Sequence, residues 1–255
     1  MNVESIAVTH EGRVRENNED NYFVCGAYKA DTSLNRLKTE HSELRNNYIY
    51  AVCDGMGGEE HGEKASLIAV ETLNEYWNGQ NFSIAEYVQN ANGKICNEIE
   101  KNNGTRMGTT LAVLYIEDKK ACAYNIGDSR IYIFRNKKLT KLSRDHTQTE
   151  RLVRMNILTP EAAEKHPERH RLTQNLGIFP EEMIVKPFES DEFETQKNDV
   201  FLLCSDGITD MLSDDEITNI ISERKTLKRI AELLLIKALD KGGYDNLTFV
   251  LLRIC

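Results

Sequence analysis

Seven short apolar runs punctuate the chain, and the gaps between them limit what they can build. They are YFVC (22–25), YIYAVC (48–53), TLAVLYI (110–116), ACAYNI (121–126), RIYIF (130–134), VFLLC (200–204) and LTFVLLRI (247–254). Each is rich in the β-branched, aromatic and aliphatic residues that suit a pleated surface. Only residues 117–120 and 127–129 separate the third, fourth and fifth runs. A parallel crossover needs a dozen residues or more, so these strands are expected to be antiparallel. Helical periodicity occupies longer gaps. In GEKASLIAVETLNEYW (62–77), Ala65, Ile68, Ala69, Leu73, Tyr76 and Trp77 fall on one face. Ser83 with Glu86, and Ser213 with Glu216, have capping-box spacing ahead of two further amphipathic segments, and LKRIAELLLIKALDK (227–241) supplies another helix. Helices mixed with antiparallel strands imply an α+β layered fold.

The 255 residues, 40% of them hydrophobic, can bury a substantial core and suit one large domain. No repeat, low-complexity tract or linker composition divides them, so residues 1–255 are expected to form a single domain. The net charge of -9 opposes a nucleic-acid surface and suits cation binding or plain solubility. No run approaches the roughly 20 apolar residues of a membrane span, and MNVESIAVTHEGR lacks a secretory signal, so a cytoplasmic protein away from membranes is expected. Cys25, Cys53, Cys96, Cys122, Cys204 and Cys255 form no CxxC pair and read as small reduced core residues.

Acids sit at the strand ends. Asp54 follows YIYAVC, Asp206 follows VFLLCS, and each is followed by glycine. Glu19 and Asp20 precede YFVC, Asp128 lies between ACAYNI and RIYIF, and Asp245 comes just before LTFVLL. Alone, Asp-Gly permits a plain tight turn. Strand ends in a layered sheet, however, can converge on one rim, where gathered carboxylates repel one another unless cations neutralise them. Oxygen ligation without His or Cys selects magnesium or manganese over zinc. Two such ions sharing a carboxylate can activate a bridging water and orient a phosphoryl group, which is the chemistry of phosphoester hydrolysis.

GRVRENNED (12–20), DGMGG (54–58), GTT (108–110), NIGDSR (125–130), RDHT (144–147), CSDGITD (204–210) and GGYDNLT (242–248) stand in an order that resembles the metal-dependent serine/threonine protein phosphatases of the PPM, or PP2C, family. The DGMGG form is similar to bacterial members, and the resemblance spans essentially the whole chain. It implies a four-layer α-β-β-α sandwich with two mainly antiparallel sheets. It further implies that Asp54 bridges two Mn2+ or Mg2+ ions, that Gly55 offers its carbonyl to one, and that Glu19, Asp206 and Asp245 complete the pair, with Asp20 acting through water. Arg15 would grip the substrate phosphate, Asp128 with Asp206 would hold a third ion, and Asn246 would support Asp245. The implied reaction is one-step hydrolysis of phosphoserine or phosphothreonine by a metal-activated water. Implied partners are phosphorylated proteins, such as a serine/threonine kinase or its targets, met by a monomer.

Two departures from the family pattern stand out. Met56 occupies the place of a histidine thought to act as general acid in eukaryotic members, and Glu59 stands where many bacterial relatives have histidine, so the acid is unassigned. His61 reads as a surface residue. The polar stretch 27–47 looks longer than the compact bacterial pattern and reads as a tolerated insertion, with a mobile loop or contact surface as alternatives. Residues 147–172 occupy the place of a flap beside the site, and their basic side chains suit either a phosphorylated segment or a solvated helix face. Asn125, Ser129, Arg130, Asp145 and His146 read as structural, with Asp145 as a helix cap. No thiolate precedes an arginine by six positions, and P-loop and EF-hand motifs are absent. The alternative function is a catalytically inactive relative used for binding or sensing, which should have lost a metal carboxylate; Glu19, Asp54, Asp206 and Asp245 are all retained.

Overall fold

The apolar runs are uninterrupted because both faces of their strands are covered. A computed structural model describes every residue except 58–60, 78–81 and 224. The first half contains β1 (Asn2–His10), β2 (Asn21–Val24), β3 (Ala27–Tyr28), β4 (Arg36–Leu44), β5 (Asn47–Cys53), β6 (Gly55–Gly57), α1 (Gly62–Tyr76), α2 (Ile84–Lys101), β7 (Met107–Thr109) and β8 (Leu111–Glu117). There follow β9 (Lys120–Ile126), β10 (Arg130–Arg135), β11 (Lys138–Lys141), α3 (Gln148–Arg154), α4 (Pro160–Glu164), β12 (Phe188–Glu189) and β13 (Phe193–Glu194). The chain closes with β14 (Val200–Cys204), α5 (Asp206–Met211), α6 (Asp214–Ser222), α7 (Leu227–Asp240) and β15 (Leu247–Ile254).

One sheet has the order β11-β10-β14-β15-β1-β4, the other β12-β9-β8-β5-β2-β3 with β13 also on β9, and β6 pairs with β7. Pairing among the described strands is antiparallel throughout. Side chains alternate between the faces of a strand. In β5, Tyr48, Tyr50 and Val52 therefore meet Phe201, Leu203, Val250 and Leu252 of the opposite sheet. The intervening Ile49, Ala51 and Cys53 meet Ala65, Ala69, Leu73 and Ile95 of α1 and α2. Across the sandwich, Leu202, Phe249 and Leu251 pack on Ile208, Ile217 and Leu234 of α5, α6 and α7. These three cores separate four layers, helices, sheet, sheet and helices, as the sequence predicts. Ala65, Ile68, Ala69 and Leu73 are buried as their spacing requires, whereas Tyr76 and Trp77 are half-buried. The reciprocal capping box is complete at Ser213 and Glu216, and at Ser83 the hydroxyl accepts from the Glu86 N–H. Cys25, Cys53, Cys96, Cys122 and Cys204 are buried, and Cys255 is exposed.

Two expectations change. Residues 27–47 are not simply a loop, because Arg36–Leu44 pairs along β1, itself a strand missed in the N-terminal segment. Its mixture of charged and polar residues escapes a search for apolar runs, as befits an edge strand. The turn 127–129 is likewise no hairpin. β9 and β10 belong to different sheets, so Gly127, with φ +89, carries the chain from one to the other and leaves Asp128 at their junction.

Candidate metal centre

The acids gather where the two sheets meet. Asp54 leaves β5 with its main chain held on both sides: its N–H donates to Thr110 Oγ1, and its carbonyl accepts from Thr110 N and Thr109 Oγ1, all at 2.9 Å. The threonines of GTT are thus a cradle for the aspartate. Neither Asp-Gly pair is a tight turn, since Gly55 enters β6 and Gly207 lies in α5. Both glycines answer to crowding. A Cβ on Gly55 would lie 2.2 Å from the Gly62 carbonyl oxygen and 2.4 Å from that of Glu19, and one on Gly207 would lie 2.0 Å from that of Asn246.

The opposite side of the cluster is tied by Asn246. Its Oδ1 accepts from Glu19 N at 2.8 Å, while its Nδ2 donates to the carbonyls of Asn17 at 2.8 Å and Glu11 at 3.1 Å. Asn246 therefore fastens the loop that carries Glu19, rather than the Asp245 carboxylate alone. Ser66 Oγ adds a bond to the Glu19 carbonyl at 2.6 Å. Asp20 is buried and accepts from Ser205 Oγ at 2.8 Å. Arg15 Nη2 reaches Asp245 Oδ2 at 2.8 Å, and its side chain remains 56% exposed.

Charge on these acids is unsatisfied. Burial drives the Asp54 carboxyl well above its ordinary range, reinforced by Asp20, Asp206, Asp128 and Asp245. Burial also lifts Asp20 to about 7, against the hydroxyls of Ser205 and Thr248, and lifts Asp128 to about 8 with Asp206 adding to the effect. Asp206 goes the other way: burial opposes its ionisation, but His170 and a hydrogen bond with Asp54 together hold it low. Divalent cations would relieve the burial and mutual repulsion of these carboxyls, so the donor set fits them.

The flap contributes more than its composition suggests. His170 Nδ1 lies 3.4 Å from Asp206 and its Nε2 3.3 Å from Asp210, with Arg169 3.8 Å from Asp210. Asp128, His170 and Asp206 each present a ligand atom, all within 4.8 Å of one another. His170 escapes sequence reasoning because nothing local marks it; Asp210 closes the CSDGITD stretch one helical turn after Asp206, and only the folding of the flap onto α5 brings His170 to both. A cleft of about 790 Å³ opens between α3–α4 and α5–α6, with Asp128, His170 and Asp206 on its wall. Thr147, not Asp145, caps α3, accepting from Glu150 N. Asp145 instead accepts from Arg130 Nε at 2.9 Å and Nη2 at 2.7 Å, a structural role of another kind. Met56 and His61 are half-buried, and His61 precedes α1 without a side-chain cap bond; Gly58 and Glu59 lie outside the described residues.

The layered sandwich thus carries, at the junction of its sheets, a carboxylate cluster whose oxygen donors suit divalent ions. Residues 33–241 match the profile of the family described as Protein phosphatase 2C. The serine/threonine phosphatase stp of Listeria monocytogenes serotype 4b is 32% identical over 260 residues, covering 96% of this chain and 93% of that protein. The crystal structure of the Mycobacterium tuberculosis serine/threonine phosphatase PstP/Ppp superimposes with a TM-score of 0.83 at 28% identity, covering 100% of this chain and 99% of that one. A PstP catalytic domain in complex with two manganese ions gives a TM-score of 0.79 at 28% identity, covering 99% of each chain. The chain belongs to the protein phosphatase 2C family, and it is a phosphatase of the serine/threonine class.

Proposed function

We propose that this phosphatase holds two divalent ions, manganese or magnesium, through Glu19, Asp54, Asp206 and Asp245. Asp54 would serve both, with Gly55 offering its carbonyl and Asp20 acting through water. A third ion would sit at Asp128 and Asp206. The observation that carries this reading is the convergence of carboxyls on one spot: Asp128, His170 and Asp206 present ligand atoms within 4.8 Å of one another, and Asp20, Asp206, Asp128 and Asp245 all act on the buried Asp54 carboxyl. When bound, the ions would activate a water and polarise the phosphoryl oxygens of a phosphoserine or phosphothreonine.

The chain's own side chains do the positioning. Thr109 and Thr110 fix the Asp54 main chain, while Asn246 and Ser66 fix that of Glu19. Arg15 anchors one nitrogen on Asp245 and leaves its other donors toward solvent, where a planar fork can receive a phosphate. Met56 carries no proton, so the leaving oxygen takes one from elsewhere in the site. We read residues 1–255 as a single domain acting as a monomer in the cytoplasm on phosphorylated proteins, a serine/threonine kinase or its targets among them. None of the described helices is long and apolar enough to cross a membrane.

Phosphate release from a phosphothreonine peptide, measured with manganese, with magnesium and with chelator, tests the reading on wild type and Asp54→Asn. We expect metal-dependent turnover in wild type and a loss on the order of a thousandfold in the variant, equal to about 4 kcal/mol of transition-state stabilisation, with the fold retained. Near-normal turnover by D54N would refute the role of Asp54. An inert wild type with metal bound would favour a binding or sensing module.

A further inference from the structure

Lys29 takes no part in the chemistry above, yet its side chain is completely buried beside the turn that carries Glu19 and Asp20. Burying an ammonium is unfavourable unless its donors and charge are engaged. Here Nζ donates to the Asn18 carbonyl at 2.7 Å. The Lys29 main chain is clamped by another asparagine: its N–H donates to Asn21 Oδ1 at 3.0 Å, and its carbonyl accepts from Asn21 Nδ2 at 2.9 Å. Asn18 and Asn21 bracket Glu19 and Asp20. One residue therefore grips both ends of the segment that presents the two acids. The grip depends on a tight reversal after β2, where Cys25 and Gly26 take φ values of +46 and +102 and bring the chain back on itself. Asn18 is braced in turn, its Nδ2 donating to Thr9 Oγ1 and the Asn35 carbonyl at 2.8 Å and its Oδ1 accepting from Asp20 N at 3.1 Å.

We infer that Lys29 is a positioning residue for metal binding: by fixing the Asn18 carbonyl it sets where Glu19 and Asp20 point. This rests on the metal reading given above. It also gives residues 27–47 a use that their composition conceals. Coulomb's law alone predicts the opposite of positioning, because deleting a buried positive charge near a cation site should tighten cation binding. The sign of the change therefore separates the two effects.

The test is isothermal titration of chelator-stripped full-length protein with manganese, for wild type, Lys29→Met and Lys29→Gln, with melting curves to establish folding. Partners that orient metal ligands typically alter affinity by about 10–100-fold when removed. We expect the manganese Kd of K29M to rise at least about tenfold and that of K29Q by less, in line with that range. The manganese KM should rise with Kd, while kcat at saturating manganese falls far less. An unchanged or tighter Kd in either folded variant overturns the inference, as does a lower melting temperature without any change in Kd. If K29M does not fold, K29Q decides by the same criterion. Failure of wild type to bind manganese refutes the metal reading instead.

Discussion

Asp20→Asn should stabilise the metal-free protein at alkaline pH while weakening its chemistry. Asp20 is 1% exposed and its carboxyl is lifted from an ordinary 3.8 to about 7, chiefly by burial. The metal-free fold thus holds this proton more tightly than the unfolded chain does. As pH rises from about 4 to 7 the unfolded chain ionises first, so stability is lost across that window and the loss is complete above it. Three pKa units at about 1.4 kcal/mol each set a ceiling of about 4 kcal/mol. Asparagine cannot ionise, and its amide oxygen can still accept from Ser205. In chelator at pH 8, D20N should therefore melt above wild type by about 8–16 °C at that ceiling, taking 2–4 °C per kcal/mol for a chain of this size. At pH 4.5 the gap should shrink to about 1 kcal/mol, and near pH 3 the two should nearly coincide. Added manganese should raise wild type more than the variant. Parallel melting curves of the two proteins across this pH range in chelator would refute the reasoning.

Beyond the loss of turnover expected for D54N, two further substitutions probe the site. Arg15→Lys keeps the charge but loses the planar fork, so the KM for a phosphopeptide should rise about tenfold while manganese binding measured by titration is unchanged; an unaltered KM would remove Arg15 from phosphate recognition. Gly207→Ala lies in α5, where helix propensity alone would favour alanine by about 1 kcal/mol, yet its Cβ would stand 2.0 Å from the Asn246 carbonyl. A lower urea midpoint, corresponding to about 1–3 kcal/mol, is expected from that overpacking, and a higher midpoint would show that the loop yields.

The seven apolar runs are legible because strands covered on both faces carry little but hydrophobic side chains. β1 begins as NVES and β4 reads RLKTEHSEL, so pairing rather than composition makes them strands, and only long-range register reveals it. The acids of the site could be read from their positions at strand ends. Their supporting residues could not. Thr110, Asn246 and Lys29 act through hydrogen bonds to main-chain groups up to 235 residues away, and such bonds have no periodicity to detect. His170 illustrates the same limit: one charged residue among many in the flap, it becomes a neighbour of Asp206 and Asp210 only through a tertiary contact.

The passage of the chain from one sheet to the other at Gly127 has a wider consequence. Asp20 and Asp54 adjoin the ends of β2 and β5 in one sheet, Asp206 and Asp245 lie just after β14 and just before β15 of the other, and Asp128 lies in the crossing itself. The gap between the two sheets is therefore also the span across which ligands must meet. That gap is filled by Tyr50, Val52, Phe201 and Leu252, residues remote from phosphate in any ordinary sense. Each acts as a shim. A methylene added or removed there would shift one set of carboxylates against the other by a fraction of an ångström, so the thickness of the hydrophobic layer and the fit of the metal centre must change together.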